Sequence, residues 1–184
     1  RDGGSREQAV TGEGLTQAIR AALAVTGVPF YDYPTLIGDL NGDGFSELLV
    51  PQYEYDVLTG FHHIVAVFSG SANGLSQIPT TIIQAEQPGY NPASAAPAGD
   101  VNGDGYSDVI VGASLYDNGQ TSEGRAYVYH GSSSGLGGTA AWTAESDQAT
   151  AAFGTSAATA GDVNGDGYAD VIVGALDYDN GQTG

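Results

Sequence analysis

The sequence predicts an all-β fold built from a repeated unit of four short antiparallel strands. A nine-residue acidic pattern starts at Asp39, Asp100 and Asp162, which places successive copies 61 and 62 residues apart. Glycine accounts for 29 of the 184 residues, which favours short strands joined by tight turns. An apolar run of the kind found in buried strands follows the middle copy of the pattern.

The middle unit shows the predicted strands most clearly. Its four candidate strands cover residues 93–98, 106–113, 125–130 and 140–144. The second of them contains the apolar run Val109-Ile110-Val111, which suits a strand buried on both faces. Asn118-Gly119 lies between the second and third candidates and is the strongest short signal for a hairpin turn.

A sheet of this size cannot bury its own faces, so the units are expected to stack on one another. Radial stacking of four-stranded sheets gives a β-propeller. First strands lie nearest the axis of a propeller, and the small residues at 93–96 and 156–159 suit that crowded position. We therefore predict β-propeller blades of four antiparallel strands, in about three units whose ends fall in mid-blade.

The acidic pattern has the side chains of a calcium loop. Oxygen-bearing side chains occupy positions one, three, five and nine, and Gly occupies position six, where a cation loop must turn tightly. An EF-hand loop needs an acid at position twelve, which is Val50, Val111 or Val173 here. The pattern predicts Ca²⁺ at about three sites, with Mg²⁺ a weaker candidate because it sheds its waters reluctantly. The alternative is an acidic turn that uses Asp, Asn and Gly only for local geometry.

The loops and the residues around them resemble the FG-GAP repeat. Phe153-Gly154 precedes the third loop, and Val171-Ile172-Val173-Gly174-Ala175 follows it. The resemblance covers residues 30–184 and implies the β-propeller of integrin α-subunits and of many bacterial secreted proteins. The first two units depart from the pattern, because Phe30-Tyr31 and Asn91-Pro92 stand where Phe-Gly is expected.

The resemblance implies five ligands in each loop, one of them the backbone carbonyl at position seven. The expected ligands are Asp39, Asn41, Asp43, the Phe45 carbonyl and Glu47 in the first loop; Asp100, Asn102, Asp104, the Tyr106 carbonyl and Asp108 in the second; and Asp162, Asn164, Asp166, the Tyr168 carbonyl and Asp170 in the third. Glu47 is one methylene longer than the Asp at the same position of the other loops.

The repeat divides the chain into three units and an N-terminal segment. The units are predicted at 30–88, 89–152 and 153–184, the last being the first half of a blade. Residues 1–29 are interpreted either as strands three and four of a split blade or as an N-terminal helix. With a split blade, the chain is either part of a longer propeller or a subunit completed by strands from another copy, in a ring or a filament.

Composition and charge limit the function classes. The chain has 22 acidic residues and only four basic ones, and its net charge of −18 argues against nucleic acid or an anionic membrane as a partner. It has no cysteine and no run of the roughly 20 apolar residues that a membrane span needs. No nucleophile or metalloprotease motif is present, and His62 and His63 are expected to point to opposite faces of a strand. No catalytic residue is therefore predicted.

Two function classes remain open. The first is a calcium-binding extracellular structural or adhesion module, secreted or on the cell surface, whose partner is a protein or another copy of the chain. The second is a carbohydrate-binding lectin, or the propeller portion of a secreted carbohydrate-active enzyme, with a glycan as ligand. Tyrosines near predicted turns are candidates for a binding rim, namely Tyr53, Tyr55, Tyr116 and Tyr178.

Overall fold

The fold is given by a computed structural model, which describes residues 34–56, 60–84, 87 and 94–179. Residues 52–56 and 60–63 are described by their backbone alone. Both interpretations of residues 1–29 concern a segment outside these ranges and stay predictions. The strands are β1 (Thr35–Ile37), β2 (Glu47–Asp56), β3 (Gly60–Phe68), β4 (Thr81–Gln84), β5 (Ser94–Gly99), β6 (Asp108–Ala113), β7 (Arg125–Tyr129), β8 (Trp142–Glu145), β9 (Phe153–Gly161) and β10 (Asp170–Ala175).

The strands form three antiparallel sheets, and the described residues contain no helix. The first sheet has the order β1-β2-β3-β4, the second has the order β5-β6-β7-β8, and β9 pairs with β10 in the third. Strands that follow one another in the chain are thus neighbours in the sheet, as in the blades of a propeller. The predicted all-β fold is confirmed, and the four strands predicted in the middle unit are present with small shifts at their ends.

The first and second sheets bury a shared apolar cluster between them. Every member is at most 9% exposed, so the two sheets exclude water along this face. The first sheet contributes Ile37, Leu40, Leu49, Val65, Val67 and Ile83, and the second contributes Val109, Val111, Ala113, Tyr116, Tyr127, Tyr129 and Leu136. Burying a Val, Leu or Ile side chain contributes about 1.5–3 kcal/mol, so neither sheet would be stable with this face in water.

The opposite face of the second sheet packs against the third. Ile110, at the centre of β6, is fully buried with Ala98, Val128 and Ala157, and Val171 packs against this cluster. All six residues of β6 are buried, which confirms the expectation that this strand is covered on both faces. The first strands lie side by side, since β5 contacts both β1 and β9.

The backbones of the second and third sheets touch at a pair of glycines. Gly154 has a φ of +88°, and a Cβ there would come 2.9 Å from the amide nitrogen of Ala113. A Cβ on Gly112 would come 2.1 Å from the carbonyl oxygen of Gly154. Glycine is therefore needed at both positions, because a side chain on either residue would overlap the backbone beside the other.

None of the residues with described structure forms a helix that is long and apolar enough to cross a membrane.

We expect Gly154→Ala to lower the free energy of unfolding by about 2–5 kcal/mol, the combined cost of a left-handed backbone and overpacking. Gly161→Ala is a matched control, because Gly161 also lies in β9 with positive φ, but a Cβ there meets no atom within 4 Å. The control should lose only about 1–2 kcal/mol. Urea unfolding followed by circular dichroism measures both losses, and equal losses would contradict the tight contact.

Candidate metal-binding loops

Each acidic pattern forms a loop between the first two strands of a sheet. We call residues 39–47 the first loop, 100–108 the second loop and 162–170 the third loop. The residue at position nine is in each case the first residue of the second strand. The predicted ligands therefore occupy the same position relative to the first two strands in all three sheets.

The Asp at position one organises the loop backbone. In the second loop, Asp100 Oδ1 accepts hydrogen bonds from the amides of Gly103 (2.7 Å) and Asp104 (3.1 Å). Its Oδ2 accepts a third from the amide of Gly105 (2.8 Å). These amides lie in a turn that no strand can pair, so the carboxylate satisfies donors that would otherwise depend on water.

Positions three and five add two further bonds of the same kind. Asn102 Oδ1 accepts from the amide of Asp104 (3.0 Å), and Asp104 Oδ1 accepts from the amide of Tyr106 (3.0 Å). The Asn102 amide group also donates to Asp104 Oδ2 (2.9 Å), so these two side chains are in contact. The first and third loops contain the same set of bonds.

The acid at position nine connects the loop to the far end of its own sheet. Asp108 is fully buried, and its two oxygens accept from the amides of Val101 (2.8 Å) and Gly131 (2.8 Å). Glu47 is 1% exposed and makes the corresponding bonds with Leu40 (2.7 Å) and Gly70 (3.4 Å). In the first two loops the position-nine acid thus ties its loop to the residues that follow the third strand, whereas Asp170 in the third loop accepts from the amide of Val163 within its own loop.

Burial changes the acidity of these position-nine residues. It raises the pKa of Glu47 to about 7, although the amides of Leu40 and Gly70 favour the ionised form. Burial also raises the pKa of Asp108. The pKa of Asp162, at position one of the exposed third loop, is lowered by the hydrogen bond from the Gly167 amide. A nearby positive charge would therefore stabilise the ionised form of these buried acids more than that of the exposed ones.

The donor set of each loop fits a hard cation. Carboxylate and amide oxygens are the ligands that Ca²⁺ prefers. In the second loop Asp100 Oδ1 accepts two hydrogen bonds, whereas Asp100 Oδ2, Asn102 Oδ1 and Asp104 Oδ1 accept one each and keep a lone pair. The side chains at positions one and three share the Asp104 amide in the second loop, so both lie against one short stretch of backbone. The position-nine acid differs, because its two oxygens are held by the amide of Val101, within the loop, and by the amide of Gly131, which follows the third strand.

A second acidic cluster, which the sequence did not reveal, lies where β7 begins and β8 ends. Within the described ranges, Glu123, Glu145 and Asp147 are the group of three acids whose carboxylate oxygens lie within 4.8 Å of one another, close enough to hold a metal ion. Glu145 is 3.1 Å from the Arg125 guanidinium and accepts from the Asn118 side chain (2.9 Å). The register of β7 and β8, which places Arg125 opposite Glu145, brings these acids together, and the sequence alone does not give that register.

The predicted tyrosine rim is only partly present. Tyr116 is 9% exposed, and its ring lies 5.0 Å from the Arg125 guanidinium, which also covers Tyr127 at 5.1 Å. Tyr116 is therefore part of the core and not of a binding rim. Tyr178 is 50% exposed, and the side chains of Tyr53 and Tyr55 lie outside the described part of the chain.

Comparison with known proteins confirms the resemblance to FG-GAP repeats. Residues 91–129 and 153–184 match the family described as FG-GAP repeat. Integrin alpha-7 of Rattus norvegicus is 29% identical over 181 residues, which are 96% of this chain and 14% of that protein. Integrin alpha-6 of Gallus gallus is 29% identical over 94% of this chain, and integrin alpha-IIb of Mus musculus is 30% identical over 79%. The chain spans 15% of the length of each of these last two relatives.

In calcium-free buffer, we expect the free energy of unfolding to contain a contribution that falls as the pH rises from about 4.5 to about 7. Folding raises the pKa of Glu47 from 4.5 to about 7, so in this range the folded state keeps a proton that the unfolded state has lost. Urea unfolding at several pH values measures the slope. Glu47→Gln should reduce the slope, whereas Asp166→Asn, in the exposed third loop, should leave it in place. An equal slope in wild type and Glu47→Gln would show that the pH dependence does not come from the raised pKa of Glu47.

Proposed function

Because this chain carries FG-GAP repeats of the integrin α propeller type, we propose that it is a calcium-binding extracellular module with a structural or adhesive role. The observation that carries the proposal is the same hydrogen-bond network in three separate loops. In each loop, backbone amides donate hydrogen bonds to the side chains at positions one, three and five, which are Asp, Asn and Asp. Such an arrangement presents oxygen atoms to a cation at little cost in ordering.

The proposed ligands are the five positions predicted for each loop. In the second loop the Asp100, Asn102 and Asp104 side chains already contact one stretch of backbone, and Asp108 is held at its edge. Three bound Ca²⁺ ions would reduce the net charge from −18 to −12, since each ion adds two positive charges. Calcium would thus offset the repulsion among acids that the fold brings together.

The proposed role of calcium is structural. Each loop joins the first two strands of a sheet, and the buried acid of the first two loops joins the loop to the end of the third strand. A cation at the loop would therefore stabilise the positions of three strands at once. We propose no catalytic residue, because the buried acids of the described residues are bonded to backbone amides and act within the fold.

The extracellular location follows from the kind of site that we propose. Calcium sites of micromolar-to-millimolar affinity, which is the affinity we propose for these loops, suit compartments in which free Ca²⁺ is plentiful. The relatives that cover most of this chain are integrin α chains, which supports an adhesive role for the module. Completion of a blade by a second copy involves residues outside the described ranges and stays a prediction.

A glycan ligand is the second candidate, and exposed aromatic side chains favour it. Trp142, on the edge strand β8, is 45% exposed, and Tyr178 is 50% exposed. Aromatic faces of this kind are common in recognition surfaces. A glycan array with the calcium-loaded protein tests this candidate, and binding that Trp142→Ala abolishes would support it over a purely structural role.

We expect removal of calcium to lower the melting temperature. A loop loaded at a Ca²⁺ concentration 100 times its Kd contributes about 2.7 kcal/mol. In a chain of this size each kcal/mol corresponds to about 2–4 °C. Asp104→Ala, which removes the position-five ligand of the second loop, should therefore reduce the calcium-dependent rise in melting temperature by about 5–10 °C. Scanning calorimetry with calcium and with chelator measures this rise.

Asp177→Ala is the control for this experiment, because Asp177 is an exposed acid outside the three loops. It should leave the calcium-dependent rise unchanged. Titration calorimetry should also find one calcium ion fewer in Asp104→Ala than in wild type. A wild-type melting temperature that is the same with calcium and with chelator would contradict the structural role.

A further inference from the structure

The three loops are joined to one another in series. The amide of Ser107, at position eight of the second loop, donates to the carbonyl oxygen of Asp39 in the first loop (3.0 Å). The amide of Ala169, at position eight of the third loop, donates to the carbonyl oxygen of Asp100 (2.9 Å). Asp39 and Asp100 therefore each make hydrogen bonds in two loops. The side-chain carboxylate accepts from amides of its own loop, and the backbone carbonyl accepts from an amide of the next loop.

An aromatic ring reinforces each of these joints. A Cβ on Gly42, at position four of the first loop, would come 2.9 Å from Cε1 of Tyr106 in the second loop. A Cβ on Gly103 would come 2.5 Å from Cε1 of Tyr168 in the third loop. Gly165 has the same position and nearly the same φ (+77°) in the third loop, but a Cβ there meets no atom within 4 Å.

The joint between the first and second loops has a further contact through the buried acid. Asp108 Oδ1 accepts from the amide of Gly131, and the amide of the next residue, Ser132, donates to the carbonyl oxygen of Leu40 (2.9 Å). Leu40 follows Asp39 directly, so two successive carbonyls of the first loop are bonded to the second sheet. A proposed ligand of one loop thus supports the backbone of the loop before it.

We propose that calcium occupancy is coupled between neighbouring loops, so that binding in one loop raises the affinity of the next; this inference rests on the calcium binding proposed above. Ala169 lies between Tyr168 and Asp170, which supply two proposed ligands of the third loop. A cation that fixes Asp100 also fixes the acceptor of the Ala169 amide, and the third loop then loses less conformational freedom on binding. The coupling is reciprocal, because linkage requires the same factor in both directions.

Electrostatic repulsion between bound cations opposes this coupling, and its effect can be distinguished from that of the contacts by changing the salt concentration. Each loop contains three acids, so a bound Ca²⁺ changes its charge from −3 to −1 and weakens its attraction for a cation in the neighbouring loop. Salt at 0.15 M screens exposed charges beyond about 8 Å, whereas hydrogen bonds and ring contacts persist. If contacts carry the coupling, the measured increase in affinity between neighbouring loops should grow, or stay constant, between 0.15 M and 0.5 M KCl.

Titration calorimetry with Ca²⁺ tests the coupling on the full chain. Asp43→Ala disables the first loop and leaves a two-site protein. Adding Asp166→Ala isolates the second loop, and adding Asp104→Ala isolates the third. The coupling factor is the product of the two stepwise constants in the two-site protein, divided by the product of the two single-loop constants. We expect a factor of about five or more, the lower range of measured couplings.

Gly103→Ala and Tyr168→Ala test whether the joint carries the coupling. The first inserts a Cβ against the Tyr168 ring, and the second removes the ring but keeps the backbone carbonyl. Each is placed in the three Asp43→Ala backgrounds, so that its effect on single-loop affinity cancels. The factor should fall to about one with either change, and Tyr168→Ala decides the matter if Gly103→Ala does not fold. Gly165→Ala is the matched control and should keep the full factor.

The outcomes separate this inference from the function on which it rests. Absence of calcium binding in every variant would contradict the proposed function itself. Binding at both loops with a coupling factor of one would overturn the coupling and leave the calcium sites intact. A factor that stays at five in both joint variants would show that the loop-to-loop contact does not transmit it.

Discussion

The hydrogen bonds of the Asp at position one of each loop are the interactions on which the rest of the structure depends. The carboxylate of Asp100 holds three amides of its own loop, and its carbonyl holds the Ala169 amide of the next sheet. A tight connection between two strands leaves amides that no strand can pair. One residue satisfies those amides and also sets the distance between two sheets, so local loop geometry and sheet stacking have a common origin.

The stacking in turn provides the hydrophobic core that a single small sheet lacks. β6 contributes to two clusters, with Val109 and Val111 packed towards the first sheet and Ile110 towards the third. Each sheet thus depends on its neighbours for stability, as in other repeat proteins. A cation in a loop would act close to the contact between two sheets, because the loops are also hydrogen-bonded to one another.

Sequence reasoning predicted the features that depend on neighbouring residues. The apolar run after the second loop predicted the buried strand β6. The repeated spacing of Asp, Asn and Gly predicted three loops of one kind, and all three have the same hydrogen bonds. Features that depend on register between distant segments were not predicted. The cluster around Glu123 and the burial of Tyr116 beneath Arg125 both require the paired hairpin before they can be recognised. The identity of a residue alone does not show which strand it will face.

The close contact between Gly112 and Gly154 has a consequence for how the repeat can diverge. Gly112 lies twelve residues after the start of the second loop, and Gly154 lies eight residues before the start of the third. The corresponding positions at the preceding junction are Pro51 and Pro92, so both members of the pair differ together. A side chain at either glycine would meet the backbone of the other unit, so a change at one position requires a matching change at the other. A hybrid that mixes units would therefore be compatible only where both halves of a junction come from the same source.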